Sequence, residues 1–552
     1  MPNYLYKTLP MQHQEEAFYF VYSLFQRGIN YAALLMEMGT GKTKTAIDIA
    51  SNLYAEKKID AVMVIAPNGV QSQWQTEQVP EHSPIPYTDF IWSNTASKRY
   101  AYELKQFLLI PNNVIKWFYV NVEAFSSKNH LDVFKAFVSK HRTLVIVDEA
   151  TRIKTPESAR TINIIQGLSS ITKAGKVVTS VLPISAYRLI LTGMQTTNSP
   201  FDLWSMFEFL QHNYFGRDYN SFQGRYGLQI RSTIPGSRRG YFRSIQPSEM
   251  QSVRKYVSSG KSLEDVSRIM GISESSAKFI VDNPALKVPY KNLDELKALV
   301  SKVSYQVLKK DCLDLPPKTY EKIYVDPSSE QLQIYKDLKK DLEAEYGYAT
   351  LSVANAISML VRLQQVTGGF FPAQVDEDGA HLSEPIPILP NPKLNALLAN
   401  LDEATEYPII VVAAFVSEIK AIRDALHKHR PDLNVRIIYG KVPVAERNVI
   451  REDFDRGEVD VLVGNAVCIG TGFNLQRSHV QYFYSNNYSL EQRSQMEDRT
   501  HRKGQKADNV LYKDIIMRGT IDETVYRVLR SKRELLDFMR DKSAVGFLGG
   551  AS

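Results

Sequence analysis

Tyr31-Ala-Ala-Leu-Leu35 is an unbroken apolar run, and Met36-Glu-Met-Gly-Thr-Gly-Lys-Thr43 follows it directly, with a helical pattern starting near Thr43. Strand, glycine loop and helix in that order form the context that a phosphate-binding loop requires. Gly39 and Gly41, with Thr40 between them, let the backbone fold close enough for its N–H groups to face phosphate oxygens, and the helix dipole adds positive character. Lys42 would reach the β- and γ-phosphates of a nucleoside triphosphate, and Thr43 would hold Mg²⁺ through its hydroxyl. The general G-x-x-x-x-G-K-[ST] pattern lacks its first glycine here, with Met36 in that place. Read alone, the octapeptide also suits a glycine-rich turn ahead of a core helix.

A second stretch weighs against that plainer reading. Thr143-Leu-Val-Ile-Val-Asp-Glu-Ala-Thr151 is a β-branched, apolar strand that delivers two carboxylates at its end, the way an α/β sheet places acids beside a nucleotide. Asp148 would hold Mg²⁺ through water, and Glu149 would orient and polarise an attacking water. Ala61-Val-Met-Val-Ile-Ala-Pro67 reads as a fully buried parallel strand, and the helix after it carries Gln71, Gln73 and Trp74. Tyr187-Arg-Leu-Ile-Leu-Thr-Gly193 is another buried strand, whose Thr192 and Gly193 could sense the γ-phosphate state. Phe201–Leu210 is an amphipathic helix whose aromatics suit a core. Gln14, upstream of the loop, could read an adenine edge with one donor and one acceptor.

The second half repeats strand–turn–helix at Ile409–Phe415, Val435–Tyr439 and Val459–Val463, which predicts a second parallel sheet and a second lobe of nucleotide-binding type. It holds no phosphate loop. Gly470-Thr-Gly472 offers backbone N–H groups for a phosphate or a ribose. Gln495-Met-Glu-Asp-Arg-Thr-His-Arg-Lys-Gly-Gln505 places Arg499 and Arg502 three apart, so a helix would project both from one face. Two guanidiniums presented together can stabilise charge developing on transferring phosphate oxygens. A basic, solvated helix end is the plainer alternative.

Between about 228 and 290 the pattern changes. Arg231, Arg238, Arg239 and Arg243 surround Tyr241 and Phe242, a mixture that suits both DNA contact and a solvated surface loop. Leu263, Val266 and Ile269 form a helical stripe, Gly271 breaks it, and Ser273 can cap a second helix. The pair resembles a helix-turn-helix, with Ser273–Lys278 on the reading helix; a small packed insert fits equally well.

Composition sets the outer bounds. A chain of 552 residues has room for about two to four domains. Its 44% hydrophobic and 23% charged content exclude wholesale disorder, and a net charge of +7 permits a nucleic-acid partner without demanding one. Cys312 and Cys468 make no metal spacing and suggest a reducing compartment. Met1–Lys7 lacks a signal-peptide core, and no run approaches the length of a bilayer span, so a soluble intracellular protein is expected.

Gln14, MEMGTGKT, DEATRIK (148–154), LTGMQTTNSPFDLWSMFEFL (191–210) and FGRDYNSFQGRY (215–226) resemble, in order and spacing, the first lobe of a Swi/Snf-type translocase, a superfamily-two helicase-like ATPase. Leu-Pro-Pro-Lys (315–318) resembles that family's inter-lobe link, Gln495–Gln505 its last motif, and Gly519-Thr-Ile-Asp-Glu523 its closing signature. The resemblance implies an α/β fold of two tandem RecA-like parallel-sheet lobes with a helical, basic insert: lobe one over 1–227, the insert over 228–292, a linker over 293–325 and lobe two over 326–552.

It also implies ATP and Mg²⁺ as cofactors, double-stranded or branched DNA as partner, and Arg502 as the principal arginine finger, assisted by Gln495 and Arg499. Nucleotide-to-DNA coupling would fall to Thr192, Gly193, Gly470, Gly472 and Gln495, and DNA contacts to Arg238, Arg239, Tyr241, Arg243 and Lys278. The family's His is Thr151 here, its Thr-Pro is Met194-Gln195, its paired arginines before the link give way to Gln306, Lys309 and Lys310, and the connection over 170–185 is longer. The expected activity is ATP-driven tracking along duplex DNA. A strand-separating or junction-migrating helicase is the main alternative, and a nucleotide-switched scaffold a third. Such a protein would sit in the cytoplasm, at the nucleoid, if bacterial or viral, and in the nucleus if eukaryotic.

Overall fold

The computed structural model describes residues 4–94, 97–109, 114–165, 187–193, 199–216, 218–233, 240–245, 247–284, 286, 288–371 without 348–352, 385–470 and 473–540. The chain forms two compact units, Met1–Cys312 with Leu535–Ser552, and Leu313–Glu534.

The first unit is built on seven strands in the order Tyr87–Ile91, Ile115–Asn121, Ala61–Ala66, Thr143–Asp148, Tyr187–Leu191, Tyr31–Met36 and Ser304–Val307, with every pairing parallel. Ala61–Ala66 and Thr143–Asp148 are buried at every residue. Strands covered on both faces gain from apolar side chains at every position, which is why these segments read as continuous runs and not as alternation. Because the strands are parallel and in register (Leu34 opposite Leu191, Asp148 opposite Leu191), the carboxyl ends of the three motif-bearing strands lie side by side. Crevices at the carboxyl ends of such strands are where α/β folds bind ligands.

The second unit has six parallel strands, ordered Lys318–Val325, Val510–Met517, Val480–Phe483, Ile409–Val412, Val461–Gly464 and Val435–Ile438. Its core is divided by the sheet. Ile409 and Val411 pack with Ile419, Ile422 and Leu426. Ile410 and Val412 pack with Phe454, Ile469 and Met496. The two-residue period of a strand separates the two faces. The expected α/β architecture of two parallel-sheet lobes is therefore what the chain adopts.

The segment 293–325 is not the linker that the sequence suggests. Leu293–Ser301 is a helix and Ser304–Val307 is the edge strand of the first sheet, while Lys318–Val325 is the edge strand of the second. The link contracts to the stretch between Val307 and Lys318 because both flanks gain ladder hydrogen bonds.

The insert packs a core of its own from Leu228, Ile245, Met250, Val253, Val266, Ile272, Ala277, Ile280 and Leu286. It comprises an antiparallel hairpin, Gln229–Thr233 with Gly240–Ser244, and the helices Pro247–Ser258, Leu263–Met270 and Glu274–Asp282. Gly271 takes φ +64° at the break, and Ser273 caps the next helix by accepting from Ser276 N–H. The helical stripe is only partly inward: Val266 is buried, whereas Ile269 is half exposed. Among the described residues no helix is long and apolar enough to cross a membrane.

Candidate functional site

Gly39 and Gly41 adopt φ +82° and +86°, the left-handed backbone that other residues take at a cost. Gly41 precedes the helix Lys42–Ala55 and offers no side-chain cap to its first turn. That turn is thus a natural seat for an anion. Lys42, the first helical residue, is 8% exposed. Thr43 follows it at the helix start, as a Mg²⁺-holding hydroxyl requires.

The loop is gripped from the helix Gln12–Gln26. His13 Nε2 and Gln14 Nε2 both donate to the Thr40 carbonyl, at 2.7 and 3.2 Å, and Gln14 Oε1 accepts from Met11 N–H at 3.0 Å. Thr40 Oγ donates to the Glu37 carbonyl at 2.7 Å. A Cβ on Gly41 would fall 2.0 Å from Gln14 Nε2. Gln14 here holds the phosphate loop, a use that occupies one amide proton and one oxygen lone pair. His13 did not stand out in the sequence, where it reads as an ordinary residue of an amphipathic helix.

Asp148 ends its strand 5% exposed. Its Oδ2 accepts from the Trp74 indole N–H at 2.8 Å and its Oδ1 from Glu149 N–H at 2.9 Å. Burial pushes its carboxyl above the usual range, opposed by the positive charge of Lys42 and by the Trp74 hydrogen bond. A divalent cation would reverse that push, and each oxygen keeps a lone pair for a metal-bound water. Among the described residues no group of three or more His, Cys, Asp or Glu is placed to hold a metal ion by itself. A phosphate-loop Mg²⁺ needs none, because water and phosphate supply most of its ligands. Thr43 and Asp148 therefore fit Mg²⁺. Glu149 sits at φ +48°, ψ +56°, a left-handed conformation unusual for glutamate. Trp74 opens a π-helical turn, Trp74–Gln78, a distortion often found at functional sites.

Thr192 is fully buried, and its N–H donates to the Leu34 carbonyl at 3.1 Å. A Cβ on Gly193 would stand 3.2 Å from Met38 N and 3.6 Å from Lys42 Nζ. A side chain there would press on the loop, so glycine suits so close an approach of the strand end. Thus the structure brings Gln14, the loop, Asp148 and Gly193 together. Thr151 is buried, while Met194, Gln195 and the 170–185 connection lie outside the described residues.

In the second unit the helix Leu490–Thr500 starts on Ser489, whose side chain accepts from Gln492 N–H. It carries Gln495 and Arg499, both half-buried. The one-face projection of Arg499 and Arg502 does not hold. The helix ends at Thr500, His501 leaves helical geometry at φ −96°, ψ +76°, and Arg502 lies in the following turn. That turn is fixed elsewhere: His501 Nε2 donates to the Pro316 carbonyl at 2.8 Å, and Gln505 Nε2 donates to Ser478 O at 2.9 Å and Thr500 O at 3.0 Å. Beneath the helix is a buried ion cluster. Glu497, 1% exposed, accepts from Arg493 and Arg533 at 2.8 Å, from Tyr320 at 2.8 Å and from Lys318 at 3.3 Å. Burial alone would push the Glu497 carboxyl up, but Arg533, Lys318 and Arg493 outweigh it and hold it well below the usual range. Gly470 packs near Met496, where a Cβ would meet the Ala466 carbonyl at 2.4 Å; Gly472 lies outside the described residues.

The expected DNA contacts divide. Arg238 and Arg239 lie outside the described residues, as does the Tyr241 side chain. Arg243 forms a two-pronged pair with Glu249, at 2.9 and 2.6 Å. Lys278 is exposed on the would-be reading helix, but Ser276 beside it is 4% exposed and faces inward.

A family profile described as the SNF2-related domain matches residues 13–368. The chain belongs to this family. The helicase conserved C-terminal domain profile matches residues 392–504 of the same SNF2-related chain. It is 23% identical to an uncharacterized ATP-dependent helicase of Mycoplasma genitalium over 91% of this chain and 39% of the relative. It is 24% identical to the human TATA-binding protein-associated factor 172 over 92% of this chain and 27% of the relative. The SNF2-related chain thus spans less than half the length of either. Among solved structures it is similar to a Sulfolobus solfataricus SWI2/SNF2 ATPase core in complex with double-stranded DNA, at 19% identity and TM-score 0.38, covering 98% of this chain and 94% of that one.

Proposed function

We propose that this SNF2-related chain is a DNA-stimulated ATPase that tracks along double-stranded DNA and remodels protein–DNA or branched-DNA complexes. One observation carries the reading: Lys42, Asp148 and Gly193, distant in sequence, converge on a left-handed glycine loop at the carboxyl ends of neighbouring strands. ATP phosphates would lie on the loop N–H groups and Lys42, with Mg²⁺ held by Thr43 and Asp148. When bound there, Mg²⁺ would supply neutralisation of the charge that develops on the phosphates. Glu149 orients the attacking water and takes up its proton. Arg499 and Arg502 stabilise charge on the departing phosphoryl group, with Gln495 assisting. Two separate units carry these halves, so hydrolysis requires both, and Thr192, Gly193, Gly470 and Gly472 transmit nucleotide state to the DNA grip.

Duplex tracking uses phosphate contacts, so binding is salt-sensitive and largely independent of sequence. The insert suits that partner: residues 228–292 hold eleven Lys and Arg against five Asp and Glu, six of the chain's net +7 charges. The test is ATP turnover measured without nucleic acid and with single strand, duplex, branched DNA and RNA, beside triplex displacement and fork unwinding. Duplex-stimulated turnover with triplex displacement and intact forks is expected. Fork unwinding would transfer the assignment to a strand-separating helicase, and absence of turnover on every substrate would remove it.

A further inference from the structure

Lys318–Val325, the edge strand of the second sheet, pairs with Val510–Met517 in unbroken parallel register. Pro317 O accepts from Val510 N–H at 3.0 Å, and Val325 O accepts from Arg518 N–H at 2.9 Å. In a strand the N–H and C=O of one residue point the same way, and the direction alternates along the chain. Thr319, Glu321 and Ile323 therefore face the sheet, while Tyr320, Lys322 and Tyr324 turn their backbone groups outward. Among the described residues no backbone group bonds to that outer side. An edge left open in this way is a template for a further strand.

Beside the edge lies an open groove of about 310 Å³, walled by Lys322 and Tyr324 from the strand and by Glu523, Tyr526, Arg527 and Arg530 from the helix Ile521–Arg540. The four helix residues stand at i, i+3, i+4 and i+7, so they share one face. Arg530 pairs with Glu534 at 3.1 Å, and Glu523 accepts from Gly519 N–H at 3.3 Å. Lys322 has the Tyr526 ring 4.9 Å from its ammonium. Among the described residues neither Lys322 nor Arg527, both exposed, has an acidic partner. A single lysine is enough to discourage pairing at an ordinary edge. Here three cations surround one acid, which makes the groove a receptor for negative charge. A phosphate backbone would use those cations but leave the edge carbonyls unmet, because phosphate oxygens only accept. A peptide strand satisfies donors and acceptors alike.

We infer that this edge and groove bind an extended acidic peptide segment of a partner protein, which adds a strand beside Lys318–Val325 and turns alternate carboxylates toward Lys322 and Arg527. The site lies within the second unit and is independent of the ATPase reading. Its test is fluorescence anisotropy of the full chain with a labelled short peptide of alternating Glu and Val, beside its Lys–Val counterpart, the fully N-methylated Glu–Val peptide, and single- and double-stranded DNA. Saturable binding of the unmethylated Glu–Val peptide alone among the peptides is expected. Lys322→Glu and Arg527→Glu should each weaken it about tenfold, because reversal replaces attraction by like-charge repulsion. Lys428→Glu, on the helix Val416–His429, is the control for net charge and should change it less than about twofold. Thermal melting and ATP turnover without nucleic acid should match the parent in all three, since none of these side chains belongs to the nucleotide site. Failure of the Glu–Val peptide to bind the parent, or equal binding by folded Lys322→Glu and Arg527→Glu, would overturn the site. Retained binding of the N-methylated peptide would overturn strand addition. Loss of DNA affinity in the two groove variants, with no peptide binding to the parent, would give the groove to nucleic acid instead.

Discussion

The Trp74 indole donates to Asp148 Oδ2 at 2.8 Å, joining the segment after the strand Ala61–Ala66 to the carboxylate at the end of its neighbour. Both groups are buried. The bond therefore acts in a low dielectric, where it holds Asp148 in one orientation and favours its ionised form.

Trp74→Phe keeps the ring and removes the donor. The orphaned carboxylate oxygen costs about 1–3 kcal/mol of local stability. Asp148 then protonates more readily, so the Mg²⁺ concentration giving half-maximal turnover should rise, with ATP turnover down roughly tenfold. A magnesium titration of turnover checks this; an unchanged midpoint would leave Trp74 as packing alone.

Glu149→Gln retains shape and hydrogen bonding but loses the base. Turnover should fall at least about a hundredfold, the usual share of a positioned base. ATP binding should persist, giving a state that grips DNA while ATP is bound. Near-parental hydrolysis would end the assignment of Glu149.

Gly41→Ala meets two obstacles, φ +86° and the Gln14 amide 2.0 Å from the new Cβ. Backbone strain of about 1–3 kcal/mol and displacement of Gln14 from Thr40 should abolish binding of a fluorescent ATP analogue. Gly28→Ala is the control, with φ +80° and nothing within 4 Å of the new Cβ. It should lose a similar amount of stability and keep the nucleotide.

In the second unit, burial pushes Glu418 up from 4.5 to about 7, partly offset by Ser485 and Lys393. Its Oε2 accepts from Ser485 Oγ and, at 3.1 Å, from Phe415 N–H. The native state therefore binds the proton more tightly than the unfolded chain. The associated stability is full below about pH 4.5 and is lost as pH rises to about 7. Glu418→Gln should flatten that slope in melting curves taken between those limits; a slope unchanged by the substitution would assign it to other groups.

The central strands and the glycine loop were legible because they are local. An apolar run, a Gly-x-Gly-Lys-Thr turn or an Asp-Glu pair at a strand end carries its own spacing and burial, so two parallel α/β lobes, with the loop and the Asp-Glu pair at strand ends, could be read from the chain. The Arg499–Arg502 spacing was also local, yet it misled. Three residues apart share a face only while a helix lasts, and bonds from His501 to Pro316 and from Gln505 to Ser478 favour a turn after Thr500. Such bonds depend on distant segments.

By itself, then, the sequence determined the phosphate loop, with its two left-handed glycines, and the parallel architecture around it. Only the tertiary structure decided what holds the loop: His13 and Gln14 on Thr40, Glu37 on Lys309, and Gly193 beside Lys42. Strand order is the physical reason. Which strand ends lie side by side is set by long-range ladder pairing and burial on both faces, and periodicity along the chain carries no record of it.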